Sequence, residues 1–259
     1  MPGPAKSALY TFTGQSGYII PGRQSKTQDL VTVRHSAMVA PWADGDIHMH
    51  TNAEEYYLLL HGELWLLVGE TLINLKPYEI LMVKPQTPHA ILRGQGQIEH
   101  IGIRAPAISD RQSLAANPAD LLPVSTEDQR QLIDWWGCRA PLSTAENQNC
   151  WLFGAGRAKF ESQHLSLAFL DFPSQQAAAS GIGTRHRLHL HQRAWEYYCV
   201  LQGEKTLQVE DQFIKVKTGQ ILEVPPGVKH TLYDRTAPYR GFTLRVPIAL
   251  DDKIEFEDK

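Results

Sequence analysis

His189-Leu190-His191-Gln192-Arg193-Ala194-Trp195-Glu196-Tyr197-Tyr198 has a second, altered copy upstream, His48-Met49-His50-Thr51-Asn52-Ala53-Glu54-Glu55-Tyr56-Tyr57. One constant offset carries His48 to His189, His50 to His191, Glu55 to Glu196 and Tyr57 to Tyr198. It then carries Gly62-Glu63 to Gly203-Glu204, Ile80-Leu81 to Ile221-Leu222 and His89 to His230. One offset held over about 40 residues without a gap marks a duplicated folding unit.

Working outward from the second copy, short runs rich in β-branched and aromatic residues alternate with turn signals. Glu196–Leu201 ends at Gln202-Gly203, Lys205–Val209 at Glu210-Asp211, and Gln212–Val216 at Lys217-Thr218-Gly219. Gln220–Val224 ends at Pro225-Pro226-Gly227 and Lys229–Arg235 follows; the first copy repeats the rhythm from Glu55 to Arg93. Many short strands with tight turns predict an all-β sandwich or barrel. The copies differ before the first histidine. Pro41 stands seven residues ahead of His48 and Pro173 sixteen ahead of His189, the extra length being the Gly/Ala/Ser-rich loop Ser174–Gly183. Between the copies, Ser125–Gly137 reads as one helix, with Thr126 and Gln129 as a capping box and Gly137 as its stop. Trp135 and Trp136 on it are read as packing residues. The expected organisation is an N-terminal barrel over 1–105, a linker with a short helix over 106–147 and a C-terminal barrel over 148–259.

Composition narrows the function. The 259 residues carry 25 basic and 28 acidic side chains, a net charge of −3, and no Lys/Arg run, which disfavours nucleic acid as a partner. No apolar stretch approaches the roughly 18 residues of a membrane span, and the N-terminus has no secretory pattern. Three widely spaced cysteines, Cys138, Cys150 and Cys199, fit a reducing, cytoplasmic setting and the role of small buried hydrophobes. Histidine, with 11 residues, is over-used.

The repeat explains the histidines. Side chains two apart on a strand face the same way, so His189 and His191 point to one side together. Glu196 opens the next strand and His230 a later one, and antiparallel pairing can gather all four in a barrel interior. Three imidazoles and a carboxylate suit a divalent transition metal, and without one the buried polar groups would be costly to satisfy. His48, His50, Glu55 and His89 form the same set in the first copy, with Glu54 as a less favoured alternative to Glu55. His35, His61, His100, His164 and His186 are read as ordinary hydrogen-bonded or surface histidines. Fe, Mn, Ni, Cu, Co and Zn all remain open for either site.

These residues resemble the cupins, in particular the two-barrel bicupins. Gly183, His189, His191, Glu196 and Gly203 match the family's first motif, G-x5-H-x-H-x3-4-E-x6-G; Gly219, Pro225, Gly227 and His230 match its second, G-x5-P-x-G-x2-H. In the first copy the ligands match, but Tyr78, Lys84 and Gln86 replace the Gly, Pro and Gly of the second motif. The resemblance implies two tandem jelly-roll (double-stranded β-helix) barrels, each with a metal site.

It leaves the reaction open, because one fold hosts many chemistries. A divalent ion with these ligands carries a net +1 and favours an anionic oxygen ligand. The leading expectation is a non-heme dioxygenase acting on a small enolisable or phenolic anion. The alternatives are a metal-dependent isomerase or epimerase of a keto compound or sugar, in which the ion is only a Lewis acid, and a pirin-like regulatory module. Oxalate decarboxylases resemble the chain less in length and spacing; seed-storage bicupins lose the ligands. Tyr57 and Tyr198, two residues beyond each glutamate, are candidates to act with Glu196 on substrate, with an aromatic core plug as the competing role. Trp195 and His186 are expected at the mouth of the second site. That site, with its complete motifs and longer loop, is expected to be the reactive one if only one is. A small-molecule substrate and a monomer or homodimer are expected.

Overall fold

The computed structural model describes residues 6–12, 16–20, 29–39, 46–115, 125–127, 132–133, 137–141, 150–156, 158–174 and 187–256. No helix occurs among them, and the chain divides into two compact units, residues 14–142 and residues 1–13 with 143–259.

In the unit of residues 14–142, two long strands, Glu54–Val68 and His89–Ala105, pair antiparallel over nearly their whole length. They turn a corner together where the register breaks between Leu59 and Glu63. Gly62 makes the corner possible: its φ is +79°, and a Cβ there would lie 2.6 Å from the Gln97 carbonyl oxygen. Thr32–Val39, Glu79–Val83 and Thr71–Leu75 pair onto these two strands, and the inward side chains Leu59, Leu64, Leu66, Val68, Ile73 and Leu81 form the core. The other unit repeats the scheme in two sheets. Trp195–Gln202 lies between Gln220–Val224 and Tyr239–Val246, and Glu204–Val209 between Gln212–Lys217 and His230–Arg235. Gly203 (φ +81°) is its corner, with a Cβ position 2.5 Å from the Pro238 carbonyl oxygen. Val200, Leu207, Val209, Val216 and Leu222 fill its core.

The turns that look irregular in the first copy keep the geometry of the second. Tyr78 (φ 59°) and Gln86 (φ 62°) adopt the left-handed conformation that Gly219 (φ 78°) and Gly227 (φ 79°) adopt at the matching positions. The hydrogen bonds match too. Tyr78 N–H donates to Leu59 O at 2.7 Å as Gly219 does to Val200 O at 2.8 Å, and Gln86 N–H donates to His50 O at 2.6 Å as Gly227 does to His191 O at 2.7 Å.

Two expectations change. The N-terminal segment does not stay with residues 14–105: Ala8–Thr11 pairs antiparallel with Gln220–Val224 in the other unit's sheet. The helix expected over Ser125–Gly137 is replaced, where described, by short strands. Ser125–Glu127 runs parallel to Thr71–Ile73, Leu132–Ile133 pairs with Gly137-Cys138, and Gly137–Pro141 pairs with Glu79–Val83. A capping box contributes only about 1 kcal/mol. Open sheet edges offer rows of unpaired N–H and C=O groups, and satisfying those outweighs the local signal. Trp135, Trp136, His186 and most of the loop Ser174–Gly183 lie outside the described residues.

Candidate metal centres

The strand His48–His50 lies between Arg111–Ser113 and His89–Ala105, with His48 opposite His89; in the second copy His189–His191 lies between Lys253–Glu255 and His230–Arg235, with His189 opposite His230. With Glu55 on the strand Glu54–Val68 and Glu196 on Trp195–Gln202, each set brings four ligand atoms within 4.8 Å of one another. The Nε2 atoms of His48, His50 and His89 lie 3.6, 3.1 and 3.0 Å from Glu55 Oε2. Those of His189, His191 and His230 lie 3.8, 3.4 and 2.7 Å from Glu196 Oε2. The ring-centroid separations are 5.4, 4.4 and 5.9 Å in each set, so the two constellations are superimposable. Burial opposes the charge on both glutamates. For Glu55 the three histidines when they donate from a protonated Nε2, and for Glu196 Arg245 followed by the same donation from its histidines, overcome it and hold the carboxyl well below the usual range.

The rings are oriented from behind. Nδ1 of His48, His89, His189 and His230 donates to the main-chain carbonyl two residues upstream, of Asp46, Thr87, Arg187 and Val228, at 3.0, 2.8, 2.8 and 2.9 Å. A carbonyl only accepts, so Nδ1 carries the proton, and in the neutral ring Nε2 presents a lone pair. The remaining ring of each set meets a carboxylate: His50 Nδ1 lies 2.9 Å from Asp110, and His191 Nδ1 lies 3.3 Å from Asp252. The aspartates also accept backbone N–H groups, Asp110 from Asn52 and Ala53 and Asp252 from Arg193 and Ala194. Nε2 of both His189 and His191 is buried with no hydrogen-bond partner. Lone pairs converging on a carboxylate oxygen repel each other unless a cation lies between them, so both sets fit a divalent metal.

Residues 181–238 match the Cupin_2 family model, described as a cupin domain. The fold is that of a two-barrel cupin. Salicylate 1,2-dioxygenase from Pseudaminobacter salicylatoxidans superposes with a TM-score of 0.61 at 12% identity, covering 90% of this chain and 76% of its own. Protein Ylba from E. coli gives 0.60 at 12% identity, covering 94% and 91%. A single-substitution variant of oxalate decarboxylase from B. subtilis gives 0.57 at 13%, covering 98% and 80%. At such identities the likeness establishes the fold. No curated protein matches the chain.

The two centres of this two-barrel fold differ in what surrounds them. Glu196 is locked: Arg245 Nε donates to Oε1 at 2.7 Å and the Tyr198 hydroxyl donates to Oε2 at 2.8 Å. Arg245 in turn stacks 4.4 Å from the Trp151 ring. A pocket of about 370 Å³ beside this centre reaches only His191 of the four ligands. At the N-terminal centre, His48, His50 and Glu55 all line a pocket of about 250 Å³, together with Tyr57, Ile91, Ile103 and Arg104. The Glu55 side chain is 20% exposed and that of Glu196 2%.

Among the other expected residues, Tyr57 lines the pocket, its ring 6.2 Å from that of His89. Tyr198 is bound to the ligand carboxylate, with burial and the Glu196 charge raising its hydroxyl well above the phenol range. Glu54 is buried on the opposite face and accepts from Tyr56. Trp195 is buried. His61 is exposed, and His35 bonds Glu99. The sequence motifs do not single out Asp110 and Asp252. Their spacing exceeds the repeat offset by one residue and they stand in the tails that follow the motifs. His100, read as ordinary, lines the N-terminal pocket.

Proposed function

We propose that this bicupin is a metal-dependent dioxygenase that acts at its N-terminal centre on a small enolic or phenolic anion. The carrying observation is that three ligands of that centre open onto a pocket, while the C-terminal glutamate is closed off by Arg245 and Tyr198. This reading reverses the expectation that the motif-complete C-terminal site is the reactive one; that centre is assigned a structural metal. At about 250 Å³ the N-terminal pocket falls below the roughly 300 Å³ where drug-sized ligand sites begin. It suits a single ring better than a flavonol.

A bound divalent metal would supply positive charge for an anionic oxygen and, if redox-active, electrons for dioxygen. The chain's own residues supply the setting. Asp110 holds His50, the Asp46 and Thr87 carbonyls hold His48 and His89, and Ile91 and Ile103 add apolar side chains to an otherwise polar pocket lining. Tyr57 borders the space between His89 and His100.

Oxygen uptake by iron-, copper- and manganese-loaded protein with flavonols, β-diketones and single-ring phenolic acids tests the reading. Uptake that is abolished by His50→Ala and retained in His230→Ala supports it. No uptake with any substrate overturns it. One observation favours an isomerase as the second reading: the imidazole of His100 stands in the pocket wall beside the ligand set, with its buried Nδ1 unbonded. Proton exchange into an enolisable ketone without oxygen would select that reading.

A further inference from the structure

The wall of the N-terminal pocket carries polar groups that the ligand set does not use. Thr32–Val39 lies beside His89–Ala105 with Thr32 opposite Arg104, Arg34 opposite Gly102 and Ser36 opposite His100. All six line the pocket. His100 is 6% exposed, and its Nδ1 is buried without a hydrogen-bond partner. Arg104 Nε is likewise buried and unbonded. Between them a Cβ on Gly102 would meet nothing within 4 Å, so the floor of the pocket is open. Arg34 stands exposed, packed 5.8 Å over Tyr18. Arg111, the remaining cation of the wall, is committed to Asp46. Burial, together with the charge of Arg34 and the neighbouring His35, pushes His100 down to about 4, so its ring is neutral at neutral pH.

The C-terminal barrel is an internal control. Its corresponding strands pair in the same register, with Ser166 opposite Arg245, Ala168 opposite Thr243 and Leu170 opposite Gly241. Arg34 is thus replaced by Ala168, Ser36 by Leu170, Gly102 by Thr243 and His100 by Gly241. The arginine is kept, but Arg245 neutralises its own glutamate at 2.7 Å. With superimposable ligands, one barrel has no charged or imidazole side chain besides a satisfied arginine at these positions (Ser166, Ala168, Leu170, Gly241 and Thr243). The other has a polar wall and an unsatisfied arginine. Buried donors without partners are costly, and in a concave site several together mark the place of a ligand group.

We propose that Arg104, helped by Arg34 and His100, binds the carboxylate of a small substrate and leaves its enol or phenol oxygen facing His48, His50 and Glu55. The guanidinium fork matches a carboxylate edge to edge, and Gly102 leaves room for the group behind it. The assignment rests on the N-terminal centre being the reactive one.

Calorimetric binding to the full chain, metal-stripped and zinc-loaded, tests it with benzoate and its neutral isostere benzamide. Benzoate is expected to bind at least tenfold more tightly than benzamide. Arg104→Gln should lower benzoate affinity at least tenfold and leave benzamide unchanged, and Arg104→Lys should recover part of the loss. Gly102→Thr, which installs the C-terminal barrel's own residue, should weaken both probes. Equal affinities for the two probes, or benzoate binding indifferent to Arg104→Gln or to Gly102→Thr, would overturn the assignment. Carboxylate selectivity without oxygen uptake would leave it standing and sink the dioxygenase reading.

Discussion

Asp110→Ala removes the group that organises the N-terminal centre from behind. The carboxylate of Asp110 accepts three N–H groups: His50 Nδ1 at 2.9 Å, Asn52 N at 2.8 Å and Ala53 N at 2.8 Å. The Asn52 amide lies in an exposed stretch and can turn to water. Ala53 and His50 are 1% and 2% exposed and cannot. Each of these two buried donors left without a partner costs about 1–3 kcal/mol, so metal-free protein should lose roughly 2–6 kcal/mol. Because His50 also loses its fixed orientation, metal affinity at this centre should weaken about 10–100-fold. Acid sharpens the test. Burial opposes the charge of Asp110, but the Asn52 amide, His50 and the Ala53 amide outweigh it and lower its pKa. A carboxylate lowered in the folded state contributes fully above its unfolded value of about 3.9 and loses that contribution as pH falls below it. Wild type should therefore shed part of its margin over Asp110→Ala as pH drops through that range. Denaturant unfolding of chelated protein at pH 7 and at pH 3, with metal titration at pH 7, reads all three effects. A variant as stable as wild type and with unchanged metal affinity would refute the reasoning.

His50→Ala and His191→Ala should each cost one metal equivalent per chain by elemental analysis, and unchanged content in both would remove the ligand assignment. Gly62→Ala and Gly203→Ala should each destabilise by about 2–4 kcal/mol, because positive φ and a backbone oxygen at 2.6 or 2.5 Å act together; a melting temperature equal to wild type would contradict this. Gln86→Gly, at an exposed turn with φ 62°, should instead raise stability by up to about 1 kcal/mol by relieving the left-handed strain. Lys205 is buried 4.2 Å over the Tyr198 ring, and burial lowers its ammonium to about 7 against the pull of Glu196. The unfolded lysine holds its proton to about 10.4, so wild-type stability should gain a rising component from pH 7 towards 10. Lys205→Met should lose that slope and be more stable at pH 6, and an unchanged pH–stability curve would refute it.

The ligand sets are legible in the sequence because metal coordination ties chemistry to spacing. His-x-His on a strand, a glutamate five residues on and a histidine after a tight turn leave few other readings, and the duplication supplies an independent copy. The β-rhythm is legible for the same reason, since period-2 alternation and turn residues are local. The failures share a cause. Ser125–Gly137 carries local helix signals, but the edges that claim Ser125–Glu127 and Gly137–Pro141 belong to Thr71–Ile73 and Glu79–Val83, far upstream in the chain. Ala8–Thr11 joins Gln220–Val224 from the opposite end of the sequence, beyond what any motif encodes. Asp110 and Asp252 act on His50 and His191, rings well upstream, and nothing near either aspartate in sequence marks it as their partner.

The duplication also separates what holds a metal from what would make it reactive. Both centres keep three imidazoles, a glutamate, a supporting aspartate and an arginine on the strand beside the glutamate. They diverge in how the glutamate is held. Glu196 has one oxygen fixed by Arg245 and the other by Tyr198, both at hydrogen-bond distance, and the strand positions that carry Arg34, Ser36 and Gly102 in the other barrel carry Ala168, Leu170 and Thr243 here. A carboxylate tied at both ends cannot re-orient when a new ligand arrives. Glu55 meets its three histidines through Oε2, and Arg104, in the position of Arg245, has its buried Nε unbonded beside the pocket. Under the proposed carboxylate assignment that glutamate would be free to turn as a substrate enters, and the arginine that restrains its counterpart would serve the substrate instead. One hydrogen bond, present at Arg245 and absent at Arg104, thus couples two differences: a rigid centre has no free cation for an anionic guest, and an adaptable centre has one. Substitutions that force the Arg104–Glu55 contact should therefore impair carboxylate binding even where all four metal ligands remain.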